Sequence, residues 1–349
     1  MVNVSFQILV FALCTTLLIV RTQSQGHIGL SKKHVPLFIF GDSIYDAGNN
    51  NYINTTVMAN YWPYGETFFK YPTGRFSDGR IIPDFIAEYA KLPFILPFLQ
   101  PGNHEFTYGV NFASAGAGAL VETRQGMVID LHTQLSYFES VTKSLRRKLG
   151  DEEAKALLSR AHASILLSEE FVGMVVGNIT AVIKEVYKKG GRNFGFFSIW
   201  PIACIPFGRV LERRKTGACL DEITPYVTLH NKAFPKVLES LQNELDGFRY
   251  SFSEFHDFLK ERMDHPSKYG FEEGKVACCG SGPYRGFFSC GGKRGVAEYE
   301  LCDNVTEYVF FDSAHATERL YRQFAKQFWA GPAYSTAPYN LKALFESKY

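Results

Sequence analysis

Short apolar runs alternate with longer amphipathic stretches along the chain. Val35–Phe40 is an apolar run that ends at Gly41, and Tyr108–Ala113 and Phe194–Ile199 are runs of the same kind. Runs of this length that are apolar at nearly every position are typical of strands buried on both faces. A fourth strand is predicted over Tyr250–Phe255.

Helical periodicity separates these runs. A helix is predicted to begin at Ser168 and to end at Gly190, and a long amphipathic helix covers Ile223–Leu245. A shorter one covers Phe255–Met263. Strands that alternate with helices of this length predict an α/β fold, in which a parallel sheet is covered by helices on both faces. Active residues then gather at the carboxyl ends of the strands, which directs attention to the segments that follow each run.

The first 24 residues have the pattern of a signal peptide. Phe6–Val20 is apolar, but its 15 residues fall short of the roughly 20 that a membrane-spanning helix needs. Small residues at Thr22 and Ser24 suit cleavage by a signal peptidase. We therefore expect residues 1–24 to be removed on export, no transmembrane anchor, and a single domain over residues 35–349.

The cysteines agree with export. Six remain after the leader, and an even number in a secreted chain predicts up to three disulfides. Cys204 and Cys219 flank a short polar loop, so we expect them to pair. The other four are expected to pair among themselves: Cys278, Cys279, Cys290 and Cys302. No C-x-x-C pair occurs, so no metal site is expected.

Composition and charge exclude some classes of function. The 37 Lys and Arg against 35 Asp and Glu give a net charge of +2, far from the basic excess of a nucleic-acid-binding protein. Hydrophobic residues at 46% and charged residues at 21% are globular values, which argue against a disordered chain. Sequons that predict glycosylation begin at Asn54, Asn178 and Asn304.

Two segments carry groups suited to nucleophilic catalysis. Ser43 lies on a Gly-rich turn directly after the first predicted strand, where a hydroxyl can be exposed. Far along the chain, Asp312 stands three residues before His315. That spacing lets the carboxylate orient the imidazole within one turn, so the other ring nitrogen is available to a serine elsewhere. Each motif is weak alone.

Together with further motifs, the two segments resemble the plant GDSL esterase/lipase family, part of the SGNH hydrolases, and within it the secreted, defence-related lipases. The resemblance extends from about Val35 to Tyr349. The matching segments are Phe38–Ser43, Asp46–Asn50, Pro63–Gly65, Pro72–Arg80, Gly109–Ser114, Cys278–Gly280 and Asp312-x-x-His315.

The resemblance implies a three-layer, flavodoxin-like SGNH-hydrolase fold and no cofactor. It implies Ser43 as nucleophile, His315 as general base and then acid, and Asp312 as the partner that orients the histidine. The oxyanion hole of the family would take its first donor from the Ser43 N–H and its second from Gly116, with Gly118 as the fallback.

The third oxyanion donor of the family is missing. Family members carry an apolar strand and an asparagine in a G-x-N-D loop, but this chain has only Ala161–Leu167 between two predicted helices, the first of them Glu152–Arg160. Ser164–Leu167 is a candidate stub of that strand. The Gly177–Asn178 pair lies within a helix and inside a sequon, so it is not accepted as a substitute.

These features predict a secreted, extracellular ester hydrolase of the apoplast or cell wall, acting on a lipid or other small carboxylic ester without metal or nucleic acid. Loss of one oxyanion donor costs about 10²–10³ in kcat, so weak turnover is expected. Two alternatives stay open: a family member that has become a binding protein, and a splice or gene-prediction product that lacks the block.

Overall fold

A computed structural model describes residues 16–19, 35–151, 169–212 and 216–346. Its strands are β1 (Thr16–Ile19), β2 (Leu37–Phe40), β3 (Gly109–Asn111), β4 (Asn193–Phe197), β5 (Arg249–Ser253), β6 (Glu273–Ala277), β7 (Cys279–Gly280), β8 (Glu300–Leu301), β9 (Tyr308–Phe310) and β10 (Thr336–Pro338). Its helices are α1 (Ile82–Tyr89), α2 (Leu131–Leu149), α3 (Glu169–Lys188), α4 (Pro206–Leu211), α5 (Thr224–Glu244), α6 (Phe255–Asp264), α7 (Glu318–Ala330) and α8 (Leu341–Glu346).

The strands predicted from the apolar runs are confirmed as β2, β3, β4 and β5. Every residue of β2 and β4 is buried, as expected for strands covered on both faces. The predicted helices that begin near Ser168, Ile223 and Phe255 are confirmed as α3, α5 and α6. The predicted helix over Glu152–Arg160 lies outside the described residues.

The main sheet has the order β10-β5-β4-β1-β2-β3. Strands β2 and β3 pair in parallel, as do β4 and β5. Strand β1 is antiparallel to both β2 and β4, so the four core strands β3, β2, β4 and β5 share one direction. Their carboxyl ends consequently lie along one edge of the sheet. These four strands form the expected parallel sheet, and β1 and β10 run antiparallel to them.

Strand β1 comes from the segment expected to be a cleaved leader. Thr16–Ile19 pairs along its whole length with β2 and through Leu17 and Leu18 with β4. It thus occupies the centre of the sheet, between two strands that would otherwise each present unpaired backbone groups there. The candidate strand stub at Ser164–Leu167 lies outside the described residues.

Helices cover both faces of the sheet, as predicted. Successive side chains of a strand point to opposite faces. In β4, Phe196 packs against Phe234 of α5, with ring centroids 5.2 Å apart, whereas Phe197 packs against Phe324 of α7 at 5.0 Å. The α/β fold expected from the sequence is therefore confirmed, with helix layers on the two sides of the sheet.

Three disulfides confirm the expectation of disulfide bonding. Cys204 pairs with Cys219 across the loop after β4. The remaining two bonds join Cys278 to Cys302 and Cys279 to Cys290. These two lie in the segment that leads into β9. They fasten the chain around a small second cluster of buried side chains.

The three sequons differ in exposure. Asn54 and Asn304 are exposed, whereas Asn178 is half-buried within α3. None of the helices in the described ranges is long and apolar enough to span a bilayer.

Candidate active site

The first element of the site is the turn after β2. Gly41 has a φ of 141°, a region that favours glycine. The Asp42 carbonyl then accepts the N–H groups of Tyr45 and Asp46. The chain therefore turns sharply out of the buried strand, and Ser43 is left half-buried at the carboxyl end of the sheet.

The second element is a tight loop after β9. The Phe311 N–H donates to the His315 carbonyl at 2.8 Å, and Phe310 forms a bridge with Ala316. This closure brings Asp312 and His315 to the same side of the loop. Both side chains are buried, with exposed fractions of 1% for Asp312 and 6% for His315.

The structure brings these two elements together across 272 positions of sequence. His315 Nε2 lies 2.8 Å from Ser43 Oγ. On the other side of the ring, His315 Nδ1 lies 2.8 Å from Oδ1 and 3.0 Å from Oδ2 of Asp312. The Phe76 ring packs against the imidazole, with centroids 4.6 Å apart. Serine, histidine and aspartate thus form one continuous hydrogen-bonded chain.

Two further donors hold the Asp312 carboxylate. The Tyr64 hydroxyl donates to Oδ2 at 2.6 Å, and the Ala314 N–H donates to Oδ1 at 2.8 Å. Burial opposes ionisation, but the charge and hydrogen bond of His315 outweigh it, helped by Arg294 and Tyr64, and hold the pKa of Asp312 at about 2. The carboxyl is therefore ionised at neutral pH and acts only as an acceptor.

A cavity of about 550 Å³ opens beside Ser43 and His315. Its apolar walls include Val57, Phe76, Trp200 and Phe288. Three cationic side chains also line it: Arg124, Lys293 and Arg294. No carboxylate lines it among the residues that the structure describes. The cavity therefore suits an apolar group beside a carbonyl that develops negative charge.

The expectation that active residues follow the core strands agrees with this cavity. Ser43 follows β2, Gly116 follows β3 and Trp200 follows β4, and all three line it. Gly118, the fallback for the second oxyanion donor, is buried and is not part of the lining. In the described part of the chain, the backbone N–H groups of Ser43 and Gly116 donate to no protein acceptor.

Five aromatic residues lie around the Pro63–Gly65 motif. These are Tyr61, Trp62, Tyr64, Phe68 and Phe69, and within the described ranges none of them lines the cavity. Tyr64 is fully buried and bonds Asp312 instead. Trp62 is 52% exposed. This contact of Tyr64 was not predictable from the sequence, because nothing local links it to a carboxylate 248 positions away.

The polar residues after Ser43 join the Ser43 turn to the segment that ends β3 and follows it. Asp46 accepts the N–H of Ala115 at 3.0 Å, besides N–H groups of its own turn. Asn49 donates to the Asn111 and Ala113 carbonyls, both at 2.9 Å. These bonds fix the backbone just before Gly116. Asp46 thus bonds backbone amides of both segments.

Two more buried residues complete these fastenings. Asn50 Nδ2 donates to the Ala115 carbonyl at 2.9 Å, and its Oδ1 accepts the Ser114 hydroxyl at 2.6 Å. Gln134 of α2 exchanges two hydrogen bonds with the backbone of Gly41, each 3.0 Å long. No sequence signal pointed to Gln134, since its partner is 93 positions away.

Asn178 does not reach this site. It belongs to α3 and lines a separate cavity together with His132 and Met174. The rejection of Gly177–Asn178 as an oxyanion element agrees with this position. Ala161–Leu167, where the G-x-N-D block is expected, lies outside the described residues.

Comparison with known proteins places this geometry in a family. The family model described as GDSL-like lipase/acylhydrolase matches residues 37–328. That range contains the Ser43 turn, the Asp312–His315 loop and the core strands of the sheet from β2 onwards.

Plant proteins are similar over most of the chain. GDSL esterase/lipase 1 of Arabidopsis thaliana is 53% identical over 335 positions, which cover 89% of this chain and 90% of that protein. GDSL esterase/lipase 2 of the same plant is 50% identical over 366 positions, with 97% of each chain covered. GDSL lipase of Tanacetum cinerariifolium is 50% identical over 335 positions, covering 91% and 90%.

Proposed function

The chain belongs to the GDSL lipase/acylhydrolase family of carboxylic ester hydrolases, and from this premise we propose that it cleaves lipid or other apolar carboxylic esters through Ser43, His315 and Asp312. The observation that carries the proposal is the unbroken chain of short hydrogen bonds from Ser43 Oγ through His315 to Asp312. Acyl transfer to serine needs this order of nucleophile, base and orienting acid.

Acylation begins with attack of Ser43 Oγ on the ester carbonyl carbon. His315 Nε2 takes the hydroxyl proton as the new C–O bond forms, and the carbonyl oxygen becomes an oxyanion. The N–H groups of Ser43 and Gly116 supply donors for that charge. Collapse of the tetrahedral intermediate breaks the ester C–O bond, and His315 returns its proton to the leaving alcohol.

Deacylation repeats these steps with water. His315 Nε2 takes a proton from the water as its oxygen attacks the acyl carbon, and the proton then passes to Ser43 Oγ as the acyl-serine bond breaks. Asp312 stays ionised throughout and stabilises the imidazolium in the correct orientation. The low pKa of Asp312 supports this role, since the carboxyl does not compete for the proton.

The lipid or apolar character of the substrate rests on the cavity. Phe76 and Trp200 form an apolar part of the cavity that also contains Ser43 and His315. An acyl or aryl group would be removed from water there. A volume of about 550 Å³ leaves room for a group larger than acetyl.

The direct test is ester turnover by the purified protein and by Ser43→Ala, on a series of 4-nitrophenyl esters of increasing acyl length. We expect kcat to fall about 10⁴-fold or more in Ser43→Ala, because the nucleophile is lost. Ser313→Ala is the matched control. Ser313 lies between Asp312 and His315, and its buried hydroxyl has no hydrogen-bond partner among the described residues.

Equal turnover of the parent protein and Ser43→Ala would contradict the proposal. A folded parent protein that binds esters without cleaving them would favour the binding-protein alternative. Higher turnover on longer acyl chains supports the lipid assignment, and a preference for acetyl esters contradicts it.

We further propose that the protein is exported, with residues 1–24 removed and with glycans on Asn54 and Asn304, the two exposed sequons. Three disulfides support an oxidising compartment. Removal of the leader would also remove Thr16–Ile19 from the sheet. N-terminal sequencing of the protein that expressing cells release into their culture medium tests this proposal. A start near Gln25 supports cleavage, and a start before Thr16 contradicts it.

A further inference from the structure

The loop between β3 and α2 brings a cation into the lining of the cavity that contains Ser43. Arg124 lies on this loop, eight positions after Gly116, and both line the cavity that contains Ser43. A Cβ placed on Gly116 would lie 3.1 Å from Arg124 Nη1 and 3.3 Å from Arg124 Cδ. The guanidinium therefore lies directly against Gly116, which lines the cavity and whose N–H has no acceptor among the described residues.

The backbone holds Arg124 in an uncommon conformation. Its φ is +50°, in the left-handed region that few non-glycine residues adopt. The Met127 N–H donates to the Arg124 carbonyl at 2.9 Å, which closes a turn at this position. The side chain is thus directed by the turn as well as by its contact with Gly116.

The guanidinium charge is not neutralised locally. Within the described ranges Arg124 forms no ion pair and no side-chain hydrogen bond, and it is not among the residues with further contacts. The cavity lining contains no carboxylate among those same residues. An arginine keeps its charge at every physiological pH and presents five N–H donors. Such a group in the lining of the cavity that contains Ser43 is available to negative charge that appears only during a reaction.

We propose that Arg124 is a catalytic residue that supplies the oxyanion hole with its third donor, in place of the asparagine amide that the sequence lacks. The inference rests on the proposed function. As Ser43 Oγ bonds to the carbonyl carbon, the C=O π electrons move to oxygen, and Arg124 donates a hydrogen bond to that oxygen beside the N–H groups of Ser43 and Gly116. Arg124 neither gains nor loses a proton.

The test compares Arg124→Gly with the parent protein on the neutral ester 4-nitrophenyl butanoate. Glycine accepts the positive φ at this position, so the turn is kept. We expect kcat to fall about 10²-fold with little change in KM, because the donor acts on the transition state. Millimolar guanidinium chloride should restore part of kcat in Arg124→Gly and leave the parent protein unchanged.

Lys91→Gly is the matched control, since it removes another exposed cation from a position of positive φ, 58°, that is not part of the cavity lining. We expect a change of less than about threefold, because an exposed charge outside the cavity acts on the site only through solvent. An equal loss in both variants would overturn the proposal in favour of a general effect of positive charge. A rise in KM without a fall in kcat would also overturn it, since Arg124 would then bind the ground state.

A second readout does not require turnover. A phenylboronate adds to the serine oxygen and forms a tetrahedral, negatively charged adduct, which can be followed through the fluorescence of Trp200 in the cavity wall. We expect Arg124→Gly to bind it about 10²-fold more weakly. Unchanged boronate affinity overturns the proposal. If the parent protein lacks turnover but its boronate affinity depends on Arg124, hydrolysis fails as the function and the charge-stabilising role of Arg124 stands.

Discussion

Two fully buried carboxylates hold the loops of the site, but they have different partners. We call the Asp312–His315 loop the histidine wall, and the segment just before Gly116, which Asp46 holds, the oxyanion wall. Asp312, on the histidine wall, faces an imidazole, a tyrosine hydroxyl and one backbone N–H. Asp46, on the oxyanion wall, accepts only backbone N–H groups. Its donors are Gly48, Asn49, Asn50 and Ala115.

The pKa values of the two carboxyls move in opposite directions. Burial raises the pKa of Asp46 to about 6, and its four N–H donors only partly oppose the rise. For Asp312 the same burial is outweighed by the charge of His315, and the pKa falls to about 2. The comparison teaches that a nearby charge, rather than the number of hydrogen bonds, keeps a buried carboxyl strongly acidic. It also separates the carboxylate that bonds His315 from the one that bonds only backbone N–H groups.

The largest expected effect that separates the walls is that of Asp312→Asn. We expect kcat to fall about 10⁴-fold, because the amide no longer stabilises the imidazolium and favours the wrong tautomer. Steady-state kinetics on a 4-nitrophenyl ester provides the measurement, with circular dichroism to show that the fold is kept. Asp46→Asn should cost much less in kcat. A comparable loss in both variants would mean that the two carboxylates do not differ in role.

The next effect is the pH dependence of stability, which should have opposite signs at the two carboxyls. The pKa of Asp46 is raised above its ordinary value of 3.8, so the folded state binds the proton more tightly. The contribution of this group to stability is therefore lost as pH rises from about 4 to about 6. It amounts to about 3 kcal/mol for a shift of roughly two units.

Asp312 should show the reverse. Its pKa is depressed below 3.8, so its contribution of about 2 kcal/mol is present above about pH 4 and is lost as pH falls towards 2. Urea unfolding of the parent protein, Asp46→Asn and Asp312→Asn between pH 2.5 and 7 measures both. Asp78 also titrates near pH 6, so each variant is compared with the parent. Parallel curves for Asp46→Asn and the parent would refute the assignment.

The smallest effect sharpens the histidine wall itself. Tyr64→Phe removes the donor to Asp312 Oδ2, and we expect kcat to fall about tenfold with KM unchanged, as for loss of one hydrogen bond to a charged group. Tyr61→Phe is the matched control. Its hydroxyl is buried without a hydrogen-bond partner among the described residues. If the two variants behave alike, Tyr64 acts by packing alone.

Much of this site was predictable because its determinants are local. The turn at Ser43 follows from an apolar run that ends at glycine, and the pairing of Asp312 with His315 follows from their spacing. The hydrogen bond from Tyr64 to Asp312 was not predictable in this way. Its motif was noticed, but its hydroxyl meets Asp312 across 248 positions, a separation that only the tertiary fold closes.

Strand order was beyond the reach of the sequence. The apolar pattern identifies which segments are strands, since burial on both faces requires apolar residues throughout. It does not specify neighbours or direction, because backbone hydrogen bonds are the same for any sequence. Thr16–Ile19 illustrates this: its hydropathy is equally suited to a leader and to the central strand that the structure shows.

The sequence by itself therefore indicated the α/β class and the family, and it placed Ser43, Asp312 and His315 in short motifs. Only the tertiary structure decided that Asp46 bonds the Ala115 N–H and that Arg124 lies against Gly116. The physical reason is that these contacts join segments whose separation is set by how the strands pair and the helices pack. The electrostatic energy between two groups depends on the resulting distances, which the identity of the residues does not fix.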